Sequence, residues 1–112
     1  MANTNSDLIE NIVLELRRGV IILAVLSQLT EEHYGYSLLK RLTELGLEID
    51  QGTLYPLLRR LESQGLLQSS WRVESDRPRR YYVISPEGRE TLPQLKSEWK
   101  SLVTMMDGML EK

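Results

Sequence analysis

The feature that most constrains this chain is a change of hydrophobic period between Leu54 and Ile84. Leu54, Leu57, Leu58 and Leu61 recur at the spacing that lays one apolar stripe along a helix. After Gly65 that period stops. Leu66 to Val73 and Arg79 to Ile84 are rich in β-branched and aromatic residues, and the Glu74-Ser75-Asp76-Arg77-Pro78 stretch between them is turn chemistry. A two-stranded hairpin directly after a helix is predicted. Pro56 lacks an amide hydrogen and fits only a first turn, so the helix before the hairpin should begin near Gln51–Thr53.

Upstream, a helix is predicted from about Gly35 to Leu45, with Leu38, Leu39, Leu42 and Leu45 inward and Gly46 closing it. A polar turn, Thr30-Glu31-Glu32-His33, separates it from a first helix at about Leu8 to Leu29. From Val20 to Leu26 that first helix is apolar nearly all round, which asks for more cover than one small domain supplies. Ser85-Pro86 reads as an N-cap followed by proline at the first helical position, opening a last helix to about Leu110. Along it Leu92, Leu95, Trp99, Leu102, Met106 and Met109 alternate spacings of three and four, an a/d heptad seam that expects another helix. Pro93 inside this helix predicts a kink or a detached first turn.

The predicted fold class is mainly α with a small β-hairpin (α+β): a winged helix-turn-helix with an N-terminal helix and a long C-terminal dimerisation helix. Residues 1–112 form one domain. Residues 1–84 are the winged helix-turn-helix region, whose N-terminal helix (about 8–29) also enters the dimer interface, and residues 85–112 are the dimerisation helix.

Composition excludes several function classes. The 112 residues contain no cysteine and a single histidine, His33, so thiolate metal sites, a Cys nucleophile and a His-based triad are not expected. Seven scattered glycines form neither a dinucleotide-binding nor a Walker pattern, so no cofactor is expected and catalysis is disfavoured. The polar, acidic start of the chain lacks the basic and apolar regions of a signal peptide, and Gly19 to Leu26 is too short to span a bilayer. A soluble, cytoplasmic protein with no membrane partner is expected. The net charge is −2, but it is unevenly spread: residues 51–80 carry six arginines against three acids, whereas residues 1–50 carry four basic side chains against eight acidic ones. One locally basic segment on an acidic chain suits docking onto phosphate through one small surface.

Helix, turn, helix and hairpin in this order place the second helix of the pair in the major groove of DNA. With Leu54, Leu58 and Leu61 inward, Tyr55 and Arg59 face broadly outward and Arg60 flanks them. Arg59 suits either guanine O6/N7 or a phosphate, and Gln51 and Thr53 sit near the helix start, where the dipole favours an anion. The competing reading is a solvated helix face with Glu62 neutralising Arg59 and Arg60. In the hairpin, Arg77, Arg79 and Arg80 suit a wing gripping the sugar-phosphate backbone or entering the minor groove. The bland alternative there is a cross-strand pair of Arg79 or Arg80 with Glu74 or Asp76. Alternation puts Tyr82 and Ile84 on one face and Tyr81 and Val83 on the other, and Trp71 reads as a packing residue under the wing.

Three motifs carry a family resemblance over almost the whole chain. They are Tyr34-Gly35-Tyr36-Ser37-Leu38, the run from Gly52-Thr53-Leu54-Tyr55-Pro56 through Arg59-Arg60-Leu61-Glu62 to Gly65-Leu66, and Arg79-Arg80-Tyr81-Tyr82 through Gly88-Arg89. In these the chain resembles the short-chain group of the PadR family of bacterial transcription regulators. The resemblance implies a dimeric repressor of an inverted-repeat operator, with double-stranded DNA and a second copy of the chain as partners. By position it implies that Gln51, Thr53, Tyr55 and Arg59 belong to the recognition helix and Arg79 and Arg80 to the wing. It also puts Tyr34 and Tyr36 beside the DNA backbone. The first and last helices would build the dimer interface, with Ile12 and Leu16 on one and Leu92, Leu95, Trp99, Leu102, Met106 and Met109 on the other. Some family members bind flat hydrophobic ligands at a tryptophan corresponding to Trp99, which leaves room for a small hydrophobic effector at Trp99 and Met106. Packing on the heptad seam explains Trp99 without one. Two rival functions are a winged helix that binds protein and a small-molecule binding protein without DNA affinity.

Overall fold

Both helix ends that the sequence assigns to glycine close in the same way. In the computed structural model, which describes residues 4–111, Gly46 and Gly65 take positive φ of 101° and 84°. The amide of Leu47 donates to Leu42 O and that of Leu66 to Leu61 O, each the longer bond of a Schellman cap. The caps bound α2 (Gly35–Glu44) and α3 (Gln51–Ser63). Before them runs α1 (Thr4–Gln28), and after them come β2 (Leu67–Glu74), β3 (Arg77–Ile84) and α4 (Pro86–Leu110). The fold is therefore four helices and a small sheet, as the winged helix-turn-helix pattern requires.

The sheet has one strand more than the hairpin. His33–Tyr34, where the sequence suggests only the end of a polar turn, forms a short β1 paired antiparallel to β3, with His33 opposite Tyr82 and Tyr34 opposite Tyr81. The strand order is β1-β3-β2. In the hairpin Leu67 faces Ile84 and the register runs without a bulge to Glu74 opposite Arg77. Ser75 and Asp76 close it with positive φ of 49° and 65°, the pattern of a two-residue I′ turn.

The core lies where α1, α2, α3 and the base of the hairpin meet. Val25, Leu26 and Leu29 pack there with Leu38, Leu42, Leu54, Leu58, Leu61, Leu67, Tyr82 and Ile84, all buried. Asp50, which the hydrophobic pattern does not single out, is the N-cap of α3 and accepts the Thr53 amide at 2.7 Å. Ser85 caps α4 as expected, accepting from the Gly88 amide at 2.9 Å and donating to Gly65 O at 2.6 Å. One hydroxyl thereby ties the start of α4 to the end of α3.

Two helices extend past this core. Leu8, Ile9, Ile12, Leu14 and Leu16 of α1 are more than half exposed. In α4 every residue from Lys96 to Leu110 is exposed, Trp99, Leu102, Met106 and Met109 included. The helix runs unbroken across Pro93, so the proline neither divides nor ends it. Among the described residues no helix is long and apolar enough to cross a membrane.

Candidate nucleic-acid interface

The hairpin is longer than the core it covers, and that excess makes the site. Paired residues of an antiparallel ladder share a face, so Leu67, Ser69, Trp71 and Val73 lie on one side with Ile84, Tyr82, Arg80 and Pro78. Near the hairpin base this face is core. Beyond Ser69 it leaves the core and becomes one wall of a groove whose other wall is α3 and the start of α2. The groove encloses about 720 Å³. Tyr34, Tyr36, Gln51, Tyr55, Arg59, Arg77, Arg79 and Arg80 all line it, so most of the residues picked from the sequence as DNA contacts come together in one place. Thr53 and Arg60 are exposed but lie off the groove lining. The Thr53 amide is already taken by Asp50, so the helix start is occupied by the chain's own carboxylate.

The arginines divide into two groups. Arg72 pairs with Glu32 at 2.6 Å and lies 4.4 Å from the Tyr81 ring. Arg79 is 3.8 Å from Glu74 and 4.5 Å from the Tyr34 ring, which meets Tyr81 edge-on at 5.4 Å. Arg80 pairs not with Glu74 or Asp76 but with Glu62 of α3, at 2.6 Å. Glu62 thus serves the wing rather than neutralising its helix neighbours. Among the described residues Arg59, Arg60 and Arg77 make no ion pair. Around the groove the free positive charge sits on the outer face of α3 and at one end of β3, while the wing tip itself is Ser75-Asp76.

Burial lifts the Tyr82 hydroxyl above its ordinary pKa, with Arg80 and Arg59 pulling the other way. Tyr81 is also raised, chiefly because its hydroxyl donates to the Glu74 carboxylate. Both tyrosines are neutral hydrogen-bonding groups at neutral pH. Trp71, expected as a packing residue, is instead 65% exposed on the groove face. Gly35 opens α2, and a Cβ there would lie 2.6 Å from Tyr55 Cε1. The absent side chain lets the Tyr55 ring lie over the start of α2.

A second concavity, of about 420 Å³, lies between α1 and α4. Leu16, Val20, Leu23, Leu95, Trp99, Leu102 and Met106 line it, together with the charged Glu98. Trp99 and Met106 therefore do share a surface. Ile12 and Met109 are exposed outside it, whereas Leu92, expected at a dimer interface, is buried in the core of the chain itself. Among the described residues no group of acidic or histidine side chains is arranged to hold a metal ion.

Comparison with known proteins agrees with this architecture. The model of the transcriptional regulator PadR-like family matches residues 22–94. A transcriptional regulator of Mycobacterium tuberculosis, Rv3488, is 40% identical over 81 residues, covering 71% of this chain and 76% of that protein. The crystal structure of a PadR family transcriptional regulator from Eggerthella lenta superposes with a TM-score of 0.91 at 45% identity, covering 99% of each chain. A PadR-like transcriptional regulator of Bacillus cereus gives a TM-score of 0.76 at 30% identity, over 88% of this chain and 98% of that one.

Proposed function

This chain belongs to the PadR-like family of transcriptional regulators, and we propose that it is a cytoplasmic repressor that binds an inverted-repeat operator as a homodimer. One observation carries the reading: Arg59 and Arg77, without ion pairs among the described residues, face one groove with Tyr36 and Gln51 between the recognition helix and the wing. Guanidinium groups without a carboxylate partner are available to phosphate or to guanine, and the tyrosine hydroxyls and the glutamine amide add donors. Residues 1–84 act as the reading unit and residues 85–112 as the dimerisation helix. Pairing two copies through α1 and α4 sets two recognition helices on half-sites related by a two-fold axis. Repression then follows from occupancy of the operator. A flat hydrophobic effector between the paired helices, against Trp99 and Met106, would change their angle and move the reading heads out of register.

The test is fluorescence anisotropy with a duplex selected from a random pool by the wild-type protein, against a scrambled duplex, across a salt series. The expected result is tight, salt-sensitive binding to the selected duplex. Arg59→Ala should weaken it by about 1–3 kcal/mol, and if Arg59 holds a phosphate the salt slope should fall by about 1. Equal and feeble binding to both duplexes would sink the reading.

A further inference from the structure

Three side chains, from α3, β2 and β3, close a ring beside the groove, which Arg80 alone of the three lines. Arg80 of β3 donates through Nη2 to Glu62 Oε1 at 2.6 Å and through Nε to Ser69 Oγ at 3.1 Å. Ser69 of β2 in turn donates to Glu62 Oε2. Glu62 belongs to α3, so the ring joins the recognition helix to both strands of the wing. The guanidinium is flanked by aromatic rings, 5.4 Å from Tyr82 and 5.8 Å from Trp71. Side-chain exposure is 34% for Arg80 and 28% for Glu62, so the pair is partly shielded from water. A glutamate beside a polyanion-binding groove is electrostatically unfavourable, and proteins that read DNA gain nothing from its charge alone. Its worth here is geometric.

We infer that Glu62 is the positioning residue of the wing. It fixes the separation of wing and recognition helix, and it makes Arg80 a strut between the groove walls rather than a phosphate ligand. The inference rests on the proposed DNA reading and gives its arginines separate roles. Arg59 and Arg77 meet the duplex, and Arg80 holds the surface that presents them. Charge-assisted hydrogen bonds of this kind are stronger than neutral ones, and the planar fork of arginine is well suited to bridging two acceptors.

The two possible roles of Glu62 predict opposite signs. If it matters only through its charge, Glu62→Ala removes repulsion and frees a cation, so DNA binding tightens. If it positions the wing, Glu62→Ala weakens binding, by about tenfold or more for the loss of its two charge-assisted hydrogen bonds. Glu62→Gln, which keeps an acceptor for Arg80, should recover most of that loss. Arg80→Gln should weaken binding as Glu62→Ala does, and the double variant should be no worse than either single one. The salt series supplies an independent readout. The slope of log affinity against log salt changes by about 0.9 for each phosphate that is no longer neutralised, so Arg80→Gln should keep the wild-type slope. Melting curves of every variant, with Ser69→Ala as the mildest, keep loss of fold apart from loss of geometry. Wild-type or tighter binding by folded Glu62→Ala overturns the inference, as does a slope for Arg80→Gln reduced by a full phosphate. Wild-type protein that selects no duplex overturns the DNA reading itself, and this inference with it.

Discussion

The groove beside α3 and the apolar face shared by α1 and α4 are built on opposite terms. In the groove, two of the lining arginines already have partners within the chain, Arg80 with Glu62 and Ser69 and Arg79 with the Tyr34 ring, while Arg59 and Arg77 make no ion pair among the described residues. On the helical face, Leu16, Trp99, Leu102 and Met106 are large and apolar, and each keeps 42% or more of its surface exposed. The walls of the first are braced by polar contacts within the chain, whereas the second leaves large apolar side chains open to solvent. Contiguous apolar surface of this kind marks an interface, whereas a finished polar scaffold marks a surface kept in a fixed shape for a partner. On the proposed function, the polar groove reads and the apolar face pairs, and the two rest on different physics.

The comparison breaks most decisively at the helical face. Aspartates at Leu16 and Leu102 together should give a folded monomer by sedimentation equilibrium. Loss of the second reading head should lower operator affinity by about 10²–10⁴-fold, and a variant still dimeric would refute the separation of reading from pairing. Next in size is a contrast within α4. Leu92→Ala opens the protomer's core and should lower unfolding stability by about 2–5 kcal/mol. Leu102→Ala lies on the exposed seam, so it should leave the protomer intact and make Tm depend more strongly on protein concentration. Equal effects in chemical denaturation would erase the boundary between the core and pairing segments of this helix. Smaller still is Gly35→Ala, whose methyl would push the Tyr55 ring away from its seat. Several-fold weaker DNA binding at nearly unchanged Tm is expected, and unchanged binding would remove Tyr55 from the reading surface. The smallest stability effect belongs to Trp71→Ala, within about 0.5 kcal/mol because the indole is exposed. A loss of the size seen for core aromatics, about 3–5 kcal/mol, would return Trp71 to the packing role that its sequence context suggests.

Much of this is legible in the chain because it rests on local rules. The leucine spacing in α3, the glycine caps at Gly46 and Gly65, and the Ser85-Pro86 start of α4 each act within a few residues, and each forms as expected. Strand alternation puts Tyr82 and Ile84 on one face, and it is this face that the structure buries. What is not legible depends on distance or on extent. β1 is only two residues long and has no period of its own; it exists because β3 offers an edge. Glu62 and Arg80 join α3 to β3, and no spacing rule pairs a helix residue with a strand residue eighteen positions on. Trp71 shares a face with Leu67, yet alternation cannot tell how far along the hairpin the core reaches. Pro93 lies inside a helix otherwise held by capping at Ser85 and by the burial of Leu92, and these outweigh the missing amide.

Asp50 has a consequence beyond starting a helix. Its carboxylate accepts the Thr53 amide and so places a negative charge at the end of α3 whose dipole would otherwise welcome phosphate. A duplex that slides until its backbone meets this end encounters like charge. One that presents a base-edge donor, such as an amino group of cytosine or adenine, does not. On the proposed DNA reading, the residue that fixes where the helix begins would also penalise misplaced registers, a form of selectivity achieved by refusal rather than by attraction.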